Sequence, residues 1–189
     1  EPDGAKYAGA PPLRTDADRD ALWAGLNDGT VSTVCTDHAP WTLDEKLDPT
    51  LTASDLRHGM AELETLMPVL WSEGVATGKI SVATFVEVTS TTAARLFGLY
   101  PRKGTIAPGS DADIVIWNPN DTRTIDGAAM HSNAGYSPYD GWQVTGWPEL
   151  TISRGEIVAR ATPEGIDVLG APGRGQLAAR TRTLRSPAR

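Results

Sequence analysis

One short apolar run restricts what this chain can fold into more than any other feature of the sequence. The run from Val31 to Thr36 is rich in β-forming residues and nearly continuously apolar, which is typical of a strand buried on both faces of a parallel sheet. Thr15 and Asp18 form a capping box that predicts a helix ending at Gly29, directly before this strand. A single parallel strand cannot form a sheet by itself. The sequence therefore predicts an α/β element that belongs to a larger domain.

The rest of the chain is predicted to be helical in its first half and to form strands in its second. A long polar loop is expected over residues 37–57. It is followed by a helix from Leu63 to Trp71, which Pro68 either bends or begins. Two shorter helical pieces come next, and the second ends at Gly98. This order places a predicted boundary near residues 100–112.

The second half carries the signals of strands and a hairpin. Ile114 to Trp117 is a β-forming run bounded by Pro119, and residues 142–161 supply another strand and a hairpin that turns near Arg154-Gly155. Charged residues around the boundary are expected to be structural rather than catalytic, since carboxylates that flank a turn accept backbone N–H groups. They are Arg95, Arg102, Lys103, Asp111 and Asp113.

Composition and charge exclude several classes of function. The net charge of −7 argues against general nucleic-acid binding, and no apolar run approaches the roughly 18–20 residues of a membrane span. Cys35 is the single cysteine, so an internal disulfide is ruled out and a reducing, cytoplasmic compartment fits. Inside an apolar strand it is expected to be core filler. Residues 174–189 hold five arginines and no acid, and we expect this basic tail to be disordered rather than docked.

Asp37 is the candidate for chemistry because it comes directly after the predicted strand. Functional groups of (β/α) barrels lie at the C-terminal ends of strands, although an Asp there also caps loops, and spacing alone favours the cap. If the strand geometry continues to His38, its side chain points away from that of Asp37, and its structural interpretation is a satisfied loop or core histidine. A complete metal site is not expected, since the three histidines, His38, His58 and His131, show no HxH or HExxH spacing.

Five segments of the chain, in order, resemble the C-terminal part of the hydantoinase and dihydropyrimidinase family, cyclic amidases of the amidohydrolase superfamily. The segments are KYAGAPPLR (6–14), TVCTDHAPW (33–41), LFGLYPRKGTIAPGSDADIVIWNP (96–119), SPYDGWQVTGW (137–147) and ISRGEIV (152–158). The resemblance implies an α/β fold, the C-terminal part of a metal-dependent (β/α)8 barrel, joined to strands of a small β-sandwich. It divides the chain into barrel (1–100), sandwich (101–173) and basic tail (174–189).

The resemblance also implies a reaction and a site. In this family the residue that matches Asp37 binds a metal and shuttles a proton while a metal-activated hydroxide opens a cyclic amide or imide. Ala10, where the family usually has Ser, and His58-Gly59, where it often has Asn-Gly, are implied to bind the substrate. Trp41 supplies an apolar ring that suits an uncharged or aromatic substituent. Two zinc ions are implied, with the other ligands, including a carboxylated lysine, expected upstream of this chain.

Two other functions stay open at this stage. Allantoinases share the SPY motif and a tail like GAPGRGQ (170–176), but GLYPRKGTIAPGSDAD (98–113) favours a hydantoinase. A non-catalytic chain that keeps only the assembly surface of the fold is the second alternative. The expected partners are a small cyclic amide and, in the full-length protein, identical subunits in a dimer or tetramer, with no nucleic acid and no membrane. The chain as given is expected to be an inactive fragment that does not bind two metals tightly.

Overall fold

The first predicted helix forms as the sequence indicates. The computed structural model describes residues 3–180, and within them α1 spans Asp16–Asp28. Thr15 accepts a hydrogen bond from the backbone of Asp18, whose carboxylate accepts one from the Thr15 N–H at 3.1 Å. Gly29 ends the helix at φ 83°, in the left-handed conformation that glycine adopts without strain. The capping box and the glycine stop are both confirmed.

The later helices are short but run into one another. Pro68 lies in the first turn of its helix, where a missing N–H costs nothing, so it marks the start rather than a bend. The two separate pieces predicted before Gly98 are one helical stretch, because a π-helical turn joins them. The α-helices are α2 (Leu43–Lys46), α3 (Leu66–Leu70), α4 (Val82–Val86) and α5 (Thr92–Leu96). Turns of π-helix follow α3 at Trp71–Val75 and α4 at Glu87–Thr91, and short 3-10 helices lie at Gly4–Tyr7 and Gly127–Ala129.

The strand predicted over residues 31–36 does not form, and this prediction was wrong. The segment has no regular secondary structure; one backbone hydrogen bond joins it to the last helical stretch, from Val34 to the carbonyl of Val88 at 3.0 Å. A parallel strand exists only through its neighbours, and within residues 3–180 none pairs with this segment. Val31 and Val34 pack on the core. Cys35 is exposed, so its prediction as core filler was also wrong.

The second half forms a four-stranded antiparallel sheet whose strands lie side by side in chain order. The predicted turn at Arg154-Gly155 is confirmed, with φ values of 50° and 81° at its two residues, as a tight hairpin requires. The first strand passes through Pro119, beyond its predicted end, with an irregular register between Asn118 and Thr122. The last strand was not predicted. The strands are β1 (Ile114–Thr124), β2 (Gln143–Ser153), β3 (Glu156–Thr162) and β4 (Gly165–Val168).

Helices and sheet pack together through aromatic rings. The ring centroid of Trp71 lies 5.2 Å from that of Phe85 and also 5.2 Å from that of Trp117. Trp117 is a residue of β1. The β2 backbone approaches the same ring so closely that a Cβ atom on Gly146 would lie 2.1 Å from Trp71 Cδ1. Around these rings lies the main core cluster, formed by Leu26, Leu70, Ile80, Phe85 and Val88. The core therefore continues from the helices into the sheet.

Charged residues of the predicted boundary hold the loop before β1 in place. Lys103 lies 2.8 Å from a carboxylate oxygen of Asp111 and also pairs with Asp113. Asp113 accepts a hydrogen bond of 2.8 Å from the backbone N–H of Arg154 in the hairpin turn, and Arg102 donates to Asp111 at 2.9 Å. These contacts agree with the structural roles predicted for the residues.

The start of the predicted basic tail is attached to the sheet. The guanidinium of Arg174 donates to the Ser153 carbonyl at 2.8 Å and to the Glu156 carboxylate at 3.0 Å. The expectation of a disordered tail therefore does not hold for its first residue, whereas residues 181–189 lie outside the described part of the chain.

Candidate active site

Asp37 lies in the loop that follows the extended segment, with an unusual backbone conformation. Its φ of 48° is in the left-handed region, which residues other than glycine adopt uncommonly. The side chain is exposed, and within residues 3–180 its carboxylate accepts no hydrogen bond and forms no ion pair. The capping role that spacing alone favoured is therefore not observed. Backbone outliers of this kind concentrate at functional sites, and this carboxylate is free to bind a ligand.

His38 is a satisfied loop histidine, which agrees with the structural interpretation of the sequence. Its Nδ1 atom accepts hydrogen bonds from the backbone N–H groups of Glu62 at 3.1 Å and Leu63 at 3.2 Å. A ring nitrogen that accepts carries no proton, so the proton of the neutral ring lies on Nε2. The side chain thus joins the Asp37 loop to the segment that leads into α3.

The predicted substrate-binding turn at His58-Gly59 packs against the same loop. The Ala39 N–H donates to the Met60 carbonyl at 3.1 Å, and the indole N–H of Trp41 donates to the His58 carbonyl at 3.0 Å. Gly59 has a φ of 100°, and a Cβ atom there would lie only 2.4 Å from the Cβ of Ala39. Glycine is thus required at this position for both conformation and space.

The segment that carries Ala10 reaches the turn from the other side. The Gly59 N–H donates to the Ala8 carbonyl at 3.1 Å, and Ala10, two residues later, is exposed. The structure therefore brings together the three segments that hold the predicted site residues Asp37, Ala10 and His58-Gly59. Substrate contacts by these residues stay a prediction.

Lys46 is a residue of this region that sequence reasoning missed. It is buried, with 1% of its surface exposed, although it lies in a polar stretch that was predicted to be a loop. Its ammonium group donates to the carbonyls of Ala8 at 2.9 Å, Arg57 at 2.7 Å and Gly59 at 2.8 Å. Burial lowers the pKa of this ammonium group. A lone lysine in a charged tetrapeptide gives no sequence signal for such a role.

Glu62 is a second carboxylate beside Asp37 that was not predicted. Burial raises the pKa of Glu62, and the negative charge of Asp37 adds to the effect. The charge of Glu62 also acts on two tyrosines. Burial raises the pKa of Tyr139 to about 12, with a contribution from Glu62, and the pKa of Tyr136 is raised by burial and by the charges of Asp140 and Glu62. Asp37 therefore has a second, half-buried carboxylate within range of its charge, which the sequence alone does not indicate.

Two of the segments that carry the resemblance are linked by an ion pair. The ammonium group of Lys6, from KYAGAPPLR, lies 3.5 Å from the carboxylate of Asp140, from SPYDGW. Asp140 also accepts backbone hydrogen bonds from Gly127 at 2.6 Å and Ser137 at 3.0 Å. The segment that leads to Ala10 is therefore held at both ends, by Lys6 on one side and the Gly59 turn on the other.

The described residues do not form a complete metal site. Over residues 3–180 no group of three or more His, Cys, Asp and Glu side chains is placed to hold an ion. His131 pairs with Glu64, which lies 3.1 Å from its Nδ1 atom and accepts its backbone N–H at 2.6 Å. The Asp37 carboxylate has no hydrogen-bond or ion-pair partner among residues 3–180, and its role as a metal ligand stays a prediction.

Comparison with known proteins decides the family. The model of the amidohydrolase family matches residues 10–158. The chain belongs to the amidohydrolase family. It is 42% identical over 159 residues to a D-phenylhydantoinase of Escherichia coli O1:K1 / APEC, a match that covers 82% of this chain and 34% of the relative. The chain thus spans about a third of the length of the curated relatives it matches.

Solved structures of the family agree in fold. The D-hydantoinase of a Bacillus sp. AR9 superposes with a TM-score of 0.88 at 40% identity, covering 96% of this chain and 39% of the other. The dihydropyrimidinase of Brevibacillus agri NCHU1002 gives 0.87 at 40% identity, covering 97% and 39%. The predicted resemblance is confirmed. Family membership implies a (β/α)8 barrel, whereas the described residues themselves show helices and one antiparallel sheet.

No helix within residues 3–180 has the length and apolar character needed to cross a membrane.

Proposed function

We propose that this chain supplies part of the active site of a cyclic amidase of the hydantoinase and dihydropyrimidinase type. The observation that carries the proposal is the free carboxylate of Asp37, held in a left-handed conformation beside the turn at His58-Gly59. The family match and the names of the relatives support the choice of reaction. The opening of an allantoin ring and a non-catalytic role are not favoured by these comparisons.

Asp37 is proposed to move the proton of the reaction. Its carboxylate accepts the proton of the attacking water as that water adds to the ring carbonyl, and then gives it to the ring nitrogen as the C–N bond breaks. Amidohydrolases generally depend on metals, and a bound pair of divalent ions, zinc by the resemblance, would lower the pKa of that water. Asp37 fits such a pair as one oxygen ligand. The remaining ligands, including the carboxylated lysine, would come from outside residues 3–180.

Backbone groups near Asp37 are proposed to bind the substrate ring. The carbonyl of His58 and both polar groups of the Gly59 backbone already have partners within the described region. The N–H groups of Ala10 and His58 have no acceptor among residues 3–180 and are free to donate to the carbonyl groups of a cyclic imide. Trp41, beside this turn, would contact the ring substituent, which favours uncharged or aromatic groups.

The remaining features implied by the family complete the proposal. The barrel part is assigned to residues 1–100, the β-sandwich strands to residues 101–173 and the basic tail to residues 174–189. The protein is proposed to work in the cytoplasm as a dimer or tetramer of identical subunits.

The proposed function is tested by a panel of cyclic substrates. The protein encoded by the whole reading frame that contains these 189 residues is dialysed, its metal content is measured, and ring opening is assayed with hydantoin, 5-phenylhydantoin, dihydrouracil and allantoin. We expect turnover of the first three to exceed that of allantoin, with two metal ions retained per subunit. Preferential turnover of allantoin would identify the alternative enzyme, and retained fold without any turnover would identify a non-catalytic chain. The 189-residue chain alone is the matched control and is expected to be inactive.

A further inference from the structure

Lys46 is the one charged residue among those described that is fully buried. Its ammonium group has three protons to donate, and each finds a backbone carbonyl at 2.7–2.9 Å. No carboxylate pairs with it inside residues 3–180. Three carbonyl oxygens that converge on one point repel each other unless a donor stands between them, and a hydrocarbon side chain there would leave all three unsatisfied.

The three carbonyls belong to the two segments that carry the proposed substrate contacts. Ala8 lies two residues before Ala10, and Arg57 and Gly59 flank His58 on both sides. The Gly59 N–H donates to the same Ala8 carbonyl that accepts from the ammonium group. The ammonium group thus joins the two segments where their backbones are already hydrogen-bonded to each other.

The position of Lys46 also sets it apart from an ordinary core residue. It ends the four-residue helix α2, which begins at the Thr42 capping box directly after Trp41. The indole of Trp41 donates to the His58 carbonyl. Trp41 therefore holds the carbonyl of His58. Lys46 holds the carbonyls of the residues on either side of it, Arg57 and Gly59.

We propose that Lys46 is a positioning residue that clamps residues 8–10 to residues 57–59 and so sets where the backbone meets the substrate ring. The clamp itself depends only on the described contacts. Its effect on substrate binding rests on the proposed function. Lys46 does not touch the reacting atoms, so its loss should weaken substrate binding more than it slows the chemical step.

Amide hydrogen exchange in the full 189-residue chain tests the clamp. The variant Lys46→Met keeps the length of the side chain and removes the donors. We expect the Gly59 amide to exchange about tenfold faster, the factor that corresponds to one hydrogen bond, with the amides of α1 unchanged. Lys79→Met is the control, since Lys79 is an exposed lysine whose Nζ atom lies 3.7 Å from a carboxylate oxygen of Glu73. Unchanged exchange at Gly59, or equal acceleration in both variants, overturns the proposal.

A second variant covers the case in which Lys46→Met does not fold. Lys46→Gln keeps two N–H donors on a shorter side chain, and the clamp predicts that the Gly59 amide exchanges faster than in the wild type, but by less than the about tenfold that corresponds to one hydrogen bond. Exchange equal to the wild type would contradict the clamp.

Kinetics of the protein from the whole reading frame test the link to substrate. Lys46→Met is expected to raise KM severalfold with kcat little changed, the signature of lost substrate binding. A purely structural role would instead lower the active fraction and leave KM unchanged, and that result refutes positioning. If the wild-type protein opens no cyclic amide, the proposed function fails while the exchange experiment still decides the clamp.

Discussion

Replacing Gly59 by alanine should separate the turn at residues 57–60 from the Asp37 loop. The backbone cost of placing a side chain in a left-handed conformation is about 1–2 kcal/mol. The added Cβ would lie 2.4 Å from the Cβ of Ala39, compared with about 3.5–4.0 Å for an ordinary carbon contact. Relieving that overlap requires a shift of about 1 Å and, as for other overpacked sites, costs about 1–3 kcal/mol. The expected total loss of unfolding free energy is about 2–5 kcal/mol.

Gly109→Ala is the matched control, because it tests the backbone cost without the contact. Gly109 has a φ of 91°, and no atom lies within 4 Å of a Cβ built there. Urea unfolding of both variants, followed by the fluorescence of the six tryptophans and extrapolated linearly, should show a deficit about 1–3 kcal/mol larger for Gly59→Ala. Equal losses in the two variants would refute the close packing of the turn against the Asp37 loop.

Two further substitutions test contacts that hold the site and the sheet. Trp41→Phe keeps an aromatic ring but removes the donor to the His58 carbonyl, and should lower the unfolding free energy by about 1 kcal/mol; no loss in urea unfolding would contradict that bond. Asp113→Asn should cost less than about 1 kcal/mol near neutral pH. Because the hydrogen bond from Lys103 lowers the pKa of Asp113 below its usual 3.8, this stabilisation is present above that pH and lost as the carboxylate becomes protonated. A deficit that persists in acid would show that the ion pair is not its cause.

Local features of the fold could be predicted because their causes are local. The α1 helix begins and ends where Thr15 and Gly29 indicate, since a capping box and a glycine stop act within one turn of the backbone. The hairpin turn at Arg154-Gly155 could be predicted for the same reason, and the structure confirms it. Pro119 misled the prediction of β1, because an irregular register admits a proline inside a strand and sequence spacing does not reveal it.

Features that depend on distant partners could not be predicted from the sequence. The run at residues 31–36 has the composition of a buried strand but lacks neighbours to pair with among the described residues. Lys46 binds the carbonyl of Ala8, 38 positions away in the sequence, and no local pattern announces such a contact. Nothing in the sequence around Glu62 singles it out, and only the fold brings it within range of the charge of Asp37.

The role of Asp37 is interpreted from the sequence, the structure and the comparisons together. Spacing alone favoured a loop cap, whereas the resemblance of TVCTDHAPW to cyclic amidases implied a catalytic carboxylate. The structure shows no capping hydrogen bond to this side chain within residues 3–180, and the comparisons establish the family. The catalytic role itself stays a prediction that requires kinetics.

The most direct test of the central proposal is the turnover of 5-phenylhydantoin by Asp37→Asn in the protein from the whole reading frame. Asp44→Asn is the control, since Asp44 is an exposed carboxylate in the nearby helix α2 and its replacement removes the same charge. Metal content is measured in parallel. If Asp37 moves the proton, its replacement lowers kcat by about 10²–10⁴-fold or more, while Asp44→Asn retains wild-type activity. Equal and nearly unchanged kcat values in the two variants would contradict a catalytic role for Asp37.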